Sequence, residues 1–314
     1  MAQRKISDVL KKGTTFSFEV YPPKDDAGVP KLKSELDEFF KFKPDFISCT
    51  YRVGGIDSGK NIEICDYIVK KDVDCLAHFT CIGSTKESIK DGLDKYGNLG
   101  IKNVLAMRGD FPEDPNTGEL LKSTGGVFDN ANHLIGFLKR NYPDFCISAA
   151  GYPETHILAA SPESDIAFLR AKQDAGAEFI VCQLCYDVGA YEKWVKKCRK
   201  AGITVPFIMG IMPVLSREPV IRMSLFNGCS IPADLAVVIG KYTPHQKASE
   251  ELVKRYAADF KKAGMEYTVK TVWRYMNTDM QGIHFYTLNK ASDVCDIILA
   301  SGFRMKSTEN KKEI

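Results

Sequence analysis

Eight short runs of apolar, β-branched and aromatic residues recur along the 314-residue chain, separated by longer amphipathic segments. The runs cover 15–20 (TFSFEV), 45–50, 74–81, 103–107, 146–150, 179–183, 206–209 and 283–287. Runs of this length and content read as strands buried on both faces. Between them, 31–42 carries Leu32, Leu36, Phe39 and Phe40 at helix spacing, and 61–71, 85–96, 130–141 and 191–200 read similarly. Ser161 and Pro162 open a further helix, since serine caps and proline fits the first turn, and Gly176 can close it. Strands that alternate with helices predict a parallel sheet. Eight such units in series predict an α/β fold of the (β/α)8 TIM-barrel type, over a doubly wound open sheet. No glycine-rich dinucleotide fingerprint follows the first run, which also disfavours the open sheet. The expected organisation is a single barrel domain over 1–305 and a charged C-terminal tail over 306–314. Residues 111–128, rich in Pro, Gly and acids, read as a long loop. Residues 215–243 read as a helix and a connection before a helix over 244–263.

Charge narrows the function classes. With 43 basic and 40 acidic residues the chain is near balance, which gives no case for a general nucleic-acid binder. No run approaches the roughly 18 apolar residues of a membrane span, and no signal peptide is legible. Most of the ten cysteines lie inside apolar runs, where a free thiol acts as a small hydrophobe, so a reducing cytoplasm is expected. Cys182 and Cys185 form a C-x-x-C pair on an expected strand, with no second pair, and read as structural. The five histidines show no zinc-like spacing, so no metal is expected. His284 reads as a core or rim residue, and His133 and His245 as surface positions on helices.

In a barrel the active site lies where the strands end. Polar residues gather there: Glu19, Thr50 and Tyr51, His78, Arg108-Gly109-Asp110, Tyr152 with His156, Gln183, and Asn289-Lys290. A buried acid is costly without a partner. For Glu19 alone a salt bridge to a lysine would explain it, but so many polar groups converging on one mouth point to a site. Asp165, Phe168 and Lys172, spaced i, i+3 and i+7, share one helix face. That face reads either as a shelf for the far end of a long ligand or as a solvated surface.

Several motifs resemble those of one family. They are Phe16-Ser-Phe-Glu-Val-Tyr-Pro-Pro-Lys24, Ser48-Cys-Thr-Tyr51, His78-Phe-Thr-Cys81, Leu105-Ala-Met-Arg-Gly-Asp110, Ala150-Gly-Tyr-Pro-Glu-Thr-His156, Asp174-Ala-Gly-Ala177, Gln183 with Asp187, and His284-Phe-Tyr-Thr-Leu-Asn289. Together, in this order and over nearly the whole chain, they are similar to the methylenetetrahydrofolate reductases. The length is similar to the bacterial form that consists of the catalytic barrel alone.

The resemblance implies an FAD enzyme that reduces 5,10-methylenetetrahydrofolate to 5-methyltetrahydrofolate. Electrons would come from NADH or NADPH, or through a redox partner subunit, and a homo-oligomer is implied. It assigns Glu19 as the acid that protonates N10 so that the methylene bridge can open. An apolar pocket would favour the neutral carboxyl that this needs. Asp110 would contact the pterin near the flavin, Gln183 would hydrogen-bond the folate, and Lys290 would meet its carboxylates. Thr50, Tyr51, His78, Arg108, Gly109, Asp110, Ala131, Tyr152, His156, Asp165 and Lys172 match flavin-contacting positions.

The sequence also departs from the family's pattern. Phe168 and Ala171 stand where polar or basic residues are common, the loop after the fourth run is long, and Arg217, Pro219 and Met223 stand where aromatic and amide contacts are common. Three alternatives stay open at this point: a reductase subunit fed by a partner, a non-redox pterin-binding methyltransferase barrel, and a non-catalytic folate binder.

Overall fold

A computed structural model describes residues 3–51, 60–111, 114, 116–120 and 125–303. The chain opens with a one-turn helix α1 (Ile6–Leu10) and then alternates. In order come β1 (Thr15–Val20), α2 (Val29–Lys41), β2 (Phe46–Cys49), α3 (Lys60–Lys70), β3 (Asp74–Thr80), α4 (Lys86–Asn98), β4 (Asn103–Met107) and α5 (Ala131–Asn141). The second half holds β5 (Cys146–Gly151), α6 (Pro162–Ala175), β6 (Phe179–Cys182), α7 (Val188–Lys200), β7 (Phe207–Ile211), α8 (Arg217–Phe226), α9 (Ala233–Lys241), α10 (Glu250–Met276), β8 (Gly282–Tyr286) and α11 (Ala291–Ser301). The eight strands close in sequence order into a parallel barrel, with β8 paired to β1. This is the (β/α)8 architecture that the spacing of apolar runs predicts.

Side chains alternate across each strand, and the two faces have different chemistry. One set, including Phe16, Phe18, Ile47, Phe79, Val104, Ile147, Ile180, Phe207 and Phe285, packs against the helix layer in one continuous core. The other set points into the barrel. At its N-terminal end Phe46, Leu76, Leu105, Phe179 and Ile208 pack with Ile6 and Leu10 of α1. That plug is fastened by Arg4, whose backbone N–H and Nε each donate to the Asp74 carboxylate at 2.7 Å. The Ile6 N–H also donates to Asn103 Oδ1 at 2.8 Å. With this end sealed, the inward polar residues are accessible only from the C-terminal mouth.

Local signals explain several boundaries. Ser161 caps α6 by accepting from the Ser164 N–H, and Ser164 Oγ accepts from the Ser161 N–H. A cap of this kind is worth about 1 kcal/mol. Residues 215–243 hold two helices instead of the expected one. They break at Asn227-Gly228, where Gly228 takes φ +65°, and α9 starts after Pro232. The expected helix over 244–263 starts later and runs further. Ser249 caps it through the Leu252 N–H, and buried Tyr267, Val272 and Tyr275 carry it on to Met276. α1 and α11 have no counterpart among the elements expected from the sequence. His245 is exposed but lies outside any helix, while His133 is exposed on α5.

The described part of 111–128 is irregular, and the tail over 306–314 lies outside the described residues. Among the described residues, no helix is long and apolar enough to cross a membrane, and no group of three or more His, Cys, Asp or Glu could hold a metal. All ten cysteines are free and buried. β6 ends at Cys182, so Cys185 lies in the following loop and not on the strand as expected. Its thiol donates to Asp187 O at 3.2 Å.

Candidate active site

Glu19 faces inward on β1, in register with Ser48 of β2 and Tyr286 of β8. Its Oε2 lies 3.4 Å from Ser48 Oγ, 3.4 Å from His78 Nε2 and 3.5 Å from His284 Nε2. His284 is fully buried and held at both ring nitrogens, with Nδ1 2.7 Å from Ser17 Oγ and Nε2 3.0 Å from Ser48 Oγ. Ser17, Glu19, Ser48 and His284 therefore form one connected group on three adjacent strands. The neighbouring carboxyl-end backbone is fixed too, since Thr287 Oγ1 donates to Glu19 O at 2.6 Å.

This environment corrects the expected apolar pocket. Burial pushes the Glu19 pKa up, but the His284 contact, the charges His78 and His284 carry when protonated, and the Ser48 hydroxyl outweigh it. The net direction is down. Neighbouring strands put their inward polar positions around Glu19, which no reading of β1 alone reveals. His78 behaves differently. Burial holds its pKa down, at about 4, against the pull of Glu19, so its ring is neutral at physiological pH. Its Nε2 is buried with no hydrogen-bond partner, close to Glu19 Oε2 but not aligned to bond it. A buried polar atom left unsatisfied is costly.

A cavity of about 450 Å³ opens at the same mouth, over the ends of β3 to β5 and along α6, with Glu19, Ser48 and His284 outside its lining. Tyr51, Arg108, Gly109, Asp110, Ala131, Tyr152, His156, Asp165 and Lys172 line it, so nine of the eleven residues expected to contact a flavin share one cavity. Thr50 and His78 sit at the inner strand ends and are not in the lining. Gly109 takes φ +90°, and a Cβ there would lie 2.8 Å from Ile82 Cγ2, so only glycine lets the backbone make this wall. Lys172 Nζ donates to Ala150 O at 2.8 Å and lies over the Tyr152 ring at 5.5 Å. Burial holds its pKa down to about 8, although Asp165 opposes this. Asp165 accepts from the His156 N–H at 3.1 Å and is pushed up by burial. The Arg108 guanidinium folds over Phe111 at 4.5 Å.

An elongated group with an aromatic end and a diphosphate suits these walls. Lys172 and Arg108 supply cations that an anion would relieve. Phe168, 54% exposed, and Leu158 form an apolar outer rim. The residues present thus fit a flavin dinucleotide, with an aromatic side chain, Phe168, on the rim. Ala171 is outside the lining.

The other expected substrate contacts lie elsewhere on the mouth. Gln183 follows β6, and its Nε2 donates to Asn227 Oδ1 at 2.9 Å. Lys290 is exposed at the start of α11, outside the cavity. Asp187 caps α7 by accepting from the Ala190 N–H at 3.0 Å, a structural role. Met223 is partly buried on α8, where its carbonyl accepts from Asn227. Ser17, Ser48 and above all His284 belong to the group around Glu19 although the sequence does not single them out. The available signal was alternation: each is polar at an inward position in an otherwise apolar strand.

The family model described as "Methylenetetrahydrofolate reductase" matches residues 4–302. A protein of Oryza sativa subsp. japonica named "Probable methylenetetrahydrofolate reductase (NADH)" is 34% identical over 310 residues, which is 95% of this chain and 50% of the relative. The "5,10-methylenetetrahydrofolate reductase" of Salmonella typhimurium is 29% identical over 276 residues, 88% of this chain and 86% of the relative. The chain spans about half the length of the plant relative and most of the bacterial one. A solved structure from Clostridium thermocellum, described as an uncharacterized protein that binds two copies of 5-methyl-5,6,7,8-tetrahydrofolic acid, superposes with a TM-score of 0.58. It covers 96% of this chain and 100% of its own, and at 14% identity the likeness is one of fold.

Proposed function

This chain belongs to the methylenetetrahydrofolate reductase family, and on that premise we propose that it reduces 5,10-methylenetetrahydrofolate to 5-methyltetrahydrofolate with FAD as its cofactor. The observation that carries the reading is Glu19, a carboxyl group in contact with Ser48 and the buried His284, at the same barrel mouth as a cavity suited to a flavin dinucleotide.

Thr50, Tyr51, His78, Arg108, Gly109, Ala131, Tyr152, His156, Asp165 and Lys172 would hold FAD. When bound, FAD supplies the hydride that the substrate's methylene carbon accepts. The task of this chain is to make that carbon electrophilic. The methylene bridge opens when N10 of the folate takes a proton and the C–N10 bond breaks, leaving an iminium at N5. Glu19 supplies that proton. Without substrate its carboxyl is held low, but its side chain is still 19% exposed to solvent. A substrate seated over it removes that water and favours the neutral acid. Ser48 and His284 lie within reach to pass a proton to it. Asp110, on the cavity wall, places a negative charge near the developing cation. Gln183 hydrogen-bonds the folate, and exposed Lys290 meets its carboxylates as a flexible point charge.

The test starts with colour. Purified protein should carry a flavin spectrum or acquire one with added FAD, and protein that stays colourless in excess FAD overturns the proposal. Anaerobic mixing with NADH or NADPH should then bleach the flavin, and methylenetetrahydrofolate should restore the colour. Bleaching by neither nicotinamide, with turnover on an artificial reductant, assigns electron delivery to a partner subunit.

A further inference from the structure

Gln183 has a carboxamide whose two ends are chemically distinct, and a flipped amide would exchange its donor for its acceptor. The structure holds it in one orientation. Its Oε1 accepts from the Leu184 N–H at 2.8 Å, and its Nε2 donates to Asn227 Oδ1 at 2.9 Å. Asn227 is itself oriented. Its Nδ2 donates to Met223 O at 2.8 Å, which leaves Oδ1 as the atom that faces Gln183. Each donor meets an acceptor, so neither amide can flip without breaking two bonds. One N–H and one carbonyl lone pair of Gln183 remain for a ligand.

We propose that Asn227, at the C-terminal end of α8, is a positioning residue that fixes the donor and acceptor ends of Gln183 for the substrate. This rests on the reading of Gln183 as a folate contact. Asn227 needs no contact with the substrate, and it is not among the residues that the family resemblance assigns. Its effect is separable from anchoring of its loop, because two other attachments hold that loop. The Cys229 thiol donates to Leu184 O at 3.0 Å, and the Ser230 N–H donates to the Glu154 carboxylate at 3.1 Å, as does its hydroxyl. Loss of the Asn227 side chain therefore leaves residues 227–230 fastened to the loops after β5 and β6, while Gln183 is free to turn.

The measurement is the dissociation constant of 5-methyltetrahydrofolate for the oxidised, flavin-loaded protein, read by the flavin absorbance change. In Asn227→Ala it should rise about tenfold, the equivalent of one oriented hydrogen bond at ~1.4 kcal/mol. Flavin content, flavin reduction by the nicotinamide or artificial reductant, and melting temperature should match the wild type. In a Gln183→Ala background, Asn227→Ala should add less than about twofold, because coupled residues are not additive. Asn227→Asp keeps an acceptor for Gln183 and should recover part of the affinity. Unchanged affinity in Asn227→Ala, or full additivity with Gln183→Ala, overturns the proposal. Parallel losses of flavin and melting temperature also overturn it, by assigning Asn227 a structural role. A wild type that fails to bind the folate refutes the underlying functional reading instead, so the two failures are distinct.

Discussion

Replacing Glu19 with glutamine removes the acid while keeping the side chain's length and its capacity to accept from Ser48. The structure sets what this should cost in stability. The Glu19 contacts to Ser48, His78 and His284 are 3.4–3.5 Å long, at the limit of hydrogen-bond geometry. Each is worth less than the ~1 kcal/mol of a well-formed bond, and the amide avoids the cost of burying a charge. The fold should therefore lose no more than about 1 kcal/mol, a shift of a few degrees in melting temperature for a chain of this size. The catalytic cost should be much larger. General acid catalysis contributes about 10²–10⁴-fold, or roughly 3–5 kcal/mol. It is needed only where N10 leaves. Stopped-flow absorbance can follow each half-reaction anaerobically. Flavin reduction should stay within about threefold of wild type, under 1 kcal/mol, whereas reoxidation by methylenetetrahydrofolate should fall by about a hundredfold or more. Equal losses in both half-reactions, or retention of folate reduction, would refute the acid role.

Other outcomes follow from the same geometry. Lys172→Met should keep the fold and weaken FAD by about 10–100-fold in a fluorescence titration, since a buried charge-assisted bond to the diphosphate is worth roughly 1.5–3 kcal/mol. Acid should destabilise the protein through His78. Its folded pKa of about 4 lies below the ordinary histidine value of 6.5, so the unfolded chain binds the extra proton as pH falls between those values. The lost stability between pH 7 and pH 5 is about 2 kcal/mol from this residue, and His78→Gln should flatten the urea midpoint's pH dependence accordingly. A slope unchanged by that substitution would show that His78 does not titrate as described. Gly210→Ala should cost about 1–3 kcal/mol by urea denaturation, because a methyl there runs into Cys182 O and the Tyr286 ring. It should also disturb the 2.8 Å bond from Tyr286 Oη to Cys182 O.

Much of the fold is legible because its signals are local. The runs at 15–20 and 103–107 coincide with β1 and β4, and Ser161-Pro162 marks the start of α6. Boundaries fail where tertiary packing sets them. The far half of α10 is helical because Tyr267, Val272 and Tyr275 are buried, and no capping residue announces that. Tyr152, His156, Asp165 and Lys172 form a wall because the mouth gathers strand ends and α6 lies beside them. That rule of position can be applied before any coordinates exist. Asn227 could not be found this way, since its partner Gln183 belongs to a different βα unit.

The sequence by itself determined the eight-unit barrel, the end at which its polar residues gather, and the acid at the end of the first strand. Periodicity, caps and strand ends are properties of neighbouring residues, so they are written along the chain. Only the tertiary structure decided the state of that acid. Barrel closure lays β8 against β1, and this brings His284 to Ser17 and Glu19 of β1 and to Ser48 of β2. A carboxyl's protonation depends on which charges and dipoles lie within a few ångströms of it. For Glu19 these come from β2, β3 and β8, so the proton it holds is decided by register across the barrel.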